Sequence, residues 1–79
     1  MKWVLSGFGK EDERLHVEYQ VSKEQLAAIR ECVPPALDDP WYVHSYPVPR
    51  DAWPAIDQIL GCGPPNPDLD YFVDGYADP

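Results

Sequence analysis

Arg14-Leu15-His16-Val17-Glu18-Tyr19-Gln20-Val21 runs directly into Ser22-Lys23-Glu24-Gln25-Leu26-Ala27-Ala28-Ile29-Arg30-Glu31-Cys32-Val33. In the first eight residues Leu15, Val17, Tyr19 and Val21 alternate with Arg14, His16, Glu18 and Gln20. That is the period-two pattern of a strand with one buried face. At Ser22 the period changes. Leu26, Ile29 and Val33 fall three and four apart, the apolar stripe of an amphipathic helix. Ser22 and Gln25 have the S-x-x-Q spacing in which each side chain satisfies a free backbone N–H of the other, so the helix begins at Ser22. Pro34-Pro35 ends it, because proline lacks the amide donor and its ring clashes with the preceding turn. A strand joined to a helix by one capping residue points to a mixed fold.

Toward the N-terminus, residues 2–8 read as a strand with Trp3 and Leu5 on one face. The charged stretch Gly9-Lys10-Glu11-Asp12-Glu13 is short enough to make a hairpin with residues 14–21. In the other direction, residues 36–40 are a loop. Trp41-Tyr42-Val43-His44-Ser45-Tyr46 is aromatic and β-favouring, a third strand bounded by Pro47 and Pro49. A second helix follows over roughly 50–60, with Trp53, Ile56 and Leu60 buried. Pro54 fits only its first turn, which moves the start toward Ala52, and Gly61 suits its C-terminal cap. Residues 61–67, rich in Gly and Pro, are a stiff connector without a phosphate-loop pattern. In the last strand, residues 69–75, Leu69, Tyr71 and Val73 oppose Asp70, Phe72 and Asp74.

The expected fold is α+β in ββαβαβ order: one domain over residues 1–79, with a mostly antiparallel four-stranded sheet and two helices packed on one face. Its expected core contains Leu15, Val17, Tyr19, Leu26, Ile29, Ile56, Tyr71 and Val73. With 44% hydrophobic residues, among them three Trp and five Tyr, the composition does not suit an intrinsically disordered chain. No apolar run approaches the ~18 residues of a membrane span, and the start of the chain lacks a secretory hydrophobic stretch. The expectation is a cytoplasmic protein beginning at Met1, with Cys32 and Cys62 as free thiols.

The charge is one-sided. Residues 1–37 carry five basic and six acidic side chains; residues 38–79 carry eight Asp and only Arg50, so most of the net charge of -8 lies in the second half. Such a field repels nucleic acid and membranes and attracts basic proteins.

No catalytic device can be read. The chain has no Thr, and Ser22 is accounted for as a helix cap. His16 and His44 lack metal-ligand spacing. The run Asp68-x-Asp70-x-x-x-Asp74 lacks the turn glycine and terminal Glu of a calcium loop. No nucleophile–base pair is visible, so no enzyme activity, cofactor or metal is expected. What remains is surface: acidic residues Asp38, Asp39, Asp68, Asp70 and Asp74 interleaved with Tyr42, Tyr46 and Tyr76. Tyrosine is a favoured interface anchor and Asp pairs with Arg or Lys, so these eight are the candidate partner-binding residues. His16, Glu18, His44 and Phe72 share their expected open face.

Four short pieces carry a resemblance: Lys2-Trp3-Val4-Leu5, Lys10-Glu11-Asp12-Glu13, Asp39-Pro40-Trp41-Tyr42 with Tyr46-Pro47-Val48, and Asp70-Tyr71-Phe72-Val73. In this order the chain resembles the small acidic immunity proteins encoded beside bacterial polymorphic or contact-dependent growth-inhibition toxins. It also resembles a family of short uncharacterised bacterial proteins. The first resemblance implies stoichiometric 1:1 binding of a cognate basic toxin domain such as a nuclease, with no nucleic-acid or membrane partner and no obligate homo-oligomer. Two other readings stay open: an acidic regulatory or polynucleotide-mimic module that binds a nucleic-acid-binding protein, and a small enzyme subunit or metal-binding accessory protein.

Overall fold

The computed structural model describes residues 1–76. Its elements are β1 (Lys2–Gly9), β2 (Leu15–Val21), α1 (Lys23–Cys32), β3 (Tyr46–Pro47), a 3-10 turn (Arg50–Ala52) leading into α2 (Trp53–Leu60), and β4 (Leu69–Tyr76). The strands form one antiparallel sheet in the order β2-β1-β4-β3. The fold is α+β with four strands and two helices, in the expected order.

Local chemistry explains most element ends. In the β1–β2 turn the Gly9 N–H donates to the Arg14 carbonyl at 2.9 Å, and the Glu13 N–H to the Gly9 carbonyl at 2.9 Å. Glu13 takes a left-handed φ of 57° there. The capping box forms as read: the Gln25 N–H donates to Ser22 Oγ at 3.1 Å and the Ser22 N–H to Gln25 Oε1 at 2.8 Å. Pro54 lies in the first turn of α2, and Gly61 closes that helix at φ 70°.

Leu5 of β1, Val21 of β2 and Val73 of β4 meet Leu26, Ile29, Val33, Trp53 and Ile56 from the helices and Tyr42 from the loop in one buried cluster. Of the expected core, Leu26, Ile29, Ile56 and Val73 are fully buried, Tyr19 and Tyr71 pack against them half-buried, and Val17 is half-buried. Leu15 is a correction: it is 50% exposed. Gly7 pairs with Val17 but Phe8 pairs with Leu15, so His16 is an extra residue in β2. This β-bulge breaks the alternation and moves Leu15 to the face of Phe8.

The third strand is the second correction. Residues 41–45 are not extended; only Tyr46 and Pro47 pair with β4. The cause is Asp39. Its carboxylate accepts the Val43 N–H at 2.8 Å, the His44 N–H at 2.9 Å and the Tyr46 hydroxyl at 2.8 Å. A side chain that takes up the donors of the next residues offers the backbone an alternative to a ladder. Tyr42 adopts φ 55°, reversing the chain, and its carbonyl accepts the Gly75 N–H. The outer flank of β4 is thus covered by this loop as well as by β3. A proline is tolerated at this edge.

Candidate functional site

The face of the sheet turned away from the helices is built by register. Gln20, Val4 and Asp74 form one row; Glu18, Ser6, Phe72 and Pro47 the next; Leu15, Phe8 and Asp70 the third. None of these residues belongs to the main core cluster. Phe8 and Phe72 meet edge to face, with ring centroids 5.9 Å apart and planes at 69°. Val4 and Ser6, in the middle strand, are buried between their longer neighbours. The carboxylates of Glu18, Asp70 and Asp74 surround this apolar strip. Asp70 lies 3.9 Å from the ammonium of Lys10, both side chains about half exposed, and Asp74 accepts the Ser45 hydroxyl.

At the hairpin end the face runs toward an open groove of about 490 Å³ lined by Lys10, Glu11, Asp12, His16 and Asp68 among others. The Asp12 carboxyl accepts the Arg14 N–H at 3.0 Å and lies 2.9 Å from His16 Nε2. The backbone donor, and then His16, hold it below its ordinary carboxylate value, so it is ionised at neutral pH. Three carboxylates against one lysine suit a cationic side chain. A second cleft, of about 460 Å³, carries both Lys10 and Arg50 beside Trp53 and Tyr71 and does not suit one.

The sequence-derived residues divide. Asp70 and Asp74 stand on the face turned away from the helices, Asp68 lines the groove, and Tyr76 shares the row parity of Asp74 and is 44% exposed. Asp38 is exposed in the loop after α1. Of the other three, Tyr42 and Asp39 are buried and Tyr46 is half-buried, and all three are engaged with the protein's own groups. Tyr42 is fully buried and donates its hydroxyl to the Val33 carbonyl at the end of α1. Burial pushes its phenol up to about 12. Asp39 is buried too. Burial raises its carboxyl, but the His44 and Val43 amides and the Tyr46 hydroxyl outweigh that and hold it below the ordinary value. Tyr46 is half-buried, its hydroxyl shared between Asp39 and the Ala36 N–H.

Sequence reasoning missed the β1 contribution, Val4, Ser6 and Phe8, because it built the open face from the other three strands. The available signal was β1 itself: apolar or small residues at nearly every position from 3 to 9, the mark of a strand flanked on both sides.

Among the described residues, no three His, Cys, Asp or Glu side chains converge as metal ligands. Cys32 and Cys62 are free half-buried thiols whose pKa values burial raises, which makes them poor nucleophiles. Among the described residues no helix is long and apolar enough to cross a membrane.

No curated protein and no solved structure matches the chain. Residues 2–74 do match one family, described as a domain of unknown function, DUF7683. Since that span takes in both helices, the first three strands and β4 as far as Asp74, the chain belongs to the DUF7683 family.

Proposed function

We propose that this protein binds a basic protein partner on the face of its sheet turned away from the helices, and that it acts in the cell as an immunity protein, neutralising a cognate basic toxin domain by 1:1 association. The observation that carries the reading is the ring of Glu18, Asp70 and Asp74 around the Phe8–Phe72 pair, beside an acidic groove. An apolar centre with a charged rim is the anatomy of a specific protein interface: the centre supplies affinity and the rim supplies steering and selectivity. Toxins that are nucleases are typically basic because they bind polyanions, and a protein of net charge -8 attracts them at long range.

A regulatory module that imitates a polynucleotide would offer similar charge. The aromatic pair in the middle of the carboxylates favours the inhibitor, since a mimic of a phosphate backbone has no use for an apolar centre. The test is co-expression with any basic toxin domain encoded beside it, followed by purification of the complex. The expected outcome is a 1:1 complex, with protection of the cell that disappears once toxin exceeds inhibitor. Protection at strongly substoichiometric levels would overturn the binding mechanism.

A further inference from the structure

The two edges of the sheet are treated differently. The β4 flank is covered by β3 and the Asp39 loop, whereas β2 ends the sheet with nothing beside it among the described residues. The phase of the ladder tells which groups are bare. The Gly9 N–H points to Arg14, and the Val48 N–H reaches the Tyr71 carbonyl on the far side of β4. With the β1–β4 register, this places the backbones of Trp3, Leu5 and Gly7 toward β2. Val17, Tyr19 and Val21 therefore bond inward. The amide and carbonyl of Glu18 and Gln20 face outward, with no backbone partner among the described residues.

Natural edges are blunted by lysine, proline, bulges or inward charges. Here the bulge at His16 guards one end, but residues 17–21 contain no lysine and no proline. We infer that this edge pairs with a second copy of the chain: β2 meets β2 antiparallel, centred on Tyr19, making one sheet of eight strands. A two-fold axis normal to the sheet keeps each face on its own side, so residues must pair with same-face partners. Of the registers that satisfy the outward groups, the one centred on Glu18 sets two carboxylates opposite each other and is disfavoured. The register centred on Tyr19 sets Glu18 opposite Gln20 twice, Val17 opposite Val21 twice, and Tyr19 opposite itself. Those are a carboxylate–amide pair, a β-branched pair and an aromatic pair: no like charges are opposed, and the aromatic pair is a favourable cross-strand combination. The contact is small, so the dimer is weak and reversible. It does not rest on the basic-partner reading, since it uses the backbone edge of β2, although the Glu18 side chain takes part in both.

The experiment is sedimentation equilibrium of the full chain from about 1 μM to about 1 mM, a range that brackets weak association. Three substitutions at Gln20 accompany it. Gln20→Lys places a cation opposite Glu18 of the second copy at both ends of the pair, and should tighten association by about two- to thirtyfold. Gln20→Glu places like charges there and should weaken it by a similar factor. Gln20→Pro removes an outward N–H that makes no bond within the sheet, so it should abolish the dimer. If the proline variant does not fold by circular dichroism, the two charge variants carry the test. A chain that stays monomeric throughout overturns the inference. So does a dimer indifferent to these substitutions, or one that Gln20→Lys weakens.

Discussion

Tyr42 gives the sharpest test of how the loop is built. Its ring is fully buried in the core and its hydroxyl donates to the Val33 carbonyl, a group at the end of α1 that the helix itself cannot satisfy. Tyr42→Phe keeps the ring and removes only the donor. Leaving a buried acceptor unpaired costs about 1–2 kcal/mol, which for a chain of this length lowers the melting temperature by roughly 4–16 °C. Tyr42→Ala also removes the ring, and losing a buried aromatic costs about 3–5 kcal/mol. The whole domain is expected to have only about 4–12 kcal/mol of stability. The alanine variant should therefore lose from about a quarter to all of that margin. Urea titrations followed by circular dichroism and tryptophan emission measure both, and an unchanged m-value would show that the native state is still compact. The alkaline arm adds an independent readout. The folded phenol titrates near 12, above its ordinary 10, so wild-type stability should fall as pH rises from about 10 to 12, where the unfolded state ionises first. The phenylalanine variant should lose part of that slope. If it melted within a degree of wild type with the same alkaline profile, the hydroxyl would not be a buried donor and the description of this loop would be wrong.

Other outcomes follow from the same geometry. Asp39 is held below its ordinary carboxylate value, so its contribution to stability is present above the unfolded value and is lost as pH falls through the folded one. Asp39→Asn should flatten that acid limb in thermal melts between about pH 5 and 2. Gly75→Ala should destabilise strongly, by about 1–3 kcal/mol in urea. The added Cβ would sit 2.5 Å from the Trp41 carbonyl and 2.8 Å from that of Tyr42, and backbone atoms there cannot swing aside. Asp70→Ala combined with Asp74→Ala should shift the melting temperature by only a few degrees, since Asp70 is exposed and Asp74, half-buried, makes one bond to the exposed Ser45. The same pair should weaken basic-partner binding at least about tenfold, with the wild-type affinity falling steeply in salt. Unchanged binding that is flat in salt would mean the carboxylates are only a solvated surface.

Features governed by neighbouring residues were legible in the sequence. The Ser22–Gln25 cap, the Leu26–Ile29 stripe, Pro54 in a first turn and Gly61 at a helix end each depend on a few adjacent positions, and the structure has all of them. Features governed by distant closure were not. Leu15 obeys the alternation that leads up to Val21, yet the bulge beside the β1–β2 turn turns it outward. Residues 41–46 have strand-like composition, yet one carboxylate two positions upstream takes up their donors. Tyr42 and Tyr46 looked outward because a strand over 41–46 would place them opposite its core face, and Asp39 because an aspartate in a loop is mostly exposed. Inside, they satisfy one another and the end of α1, an arrangement only the folded chain assembles. The carboxylates of the face turned away from the helices were found because period two in β4 is undisturbed from Leu69 to Tyr76. The phenylalanine and small residues of β1 that complete that face depended on strand order.

The middle place of β1 also governs how the molecule can be assembled in time. One flank of β1 meets β2 across a turn of a few residues. The other must wait for β4, whose pairing, Lys2 with Tyr76 through Gly9 with Leu69, spans between about sixty and seventy-five positions of chain. Non-local pairing of this kind slows folding toward the millisecond-to-second range, because the loop entropy is lost before the contacts form. Until β4 docks, the ladder groups of Lys2, Val4, Ser6 and Phe8 lie bare beside apolar side chains. A nascent or truncated chain carrying the hairpin and α1 alone therefore presents two sticky flanks instead of one, and its capture by a stray strand competes directly with the last step of folding.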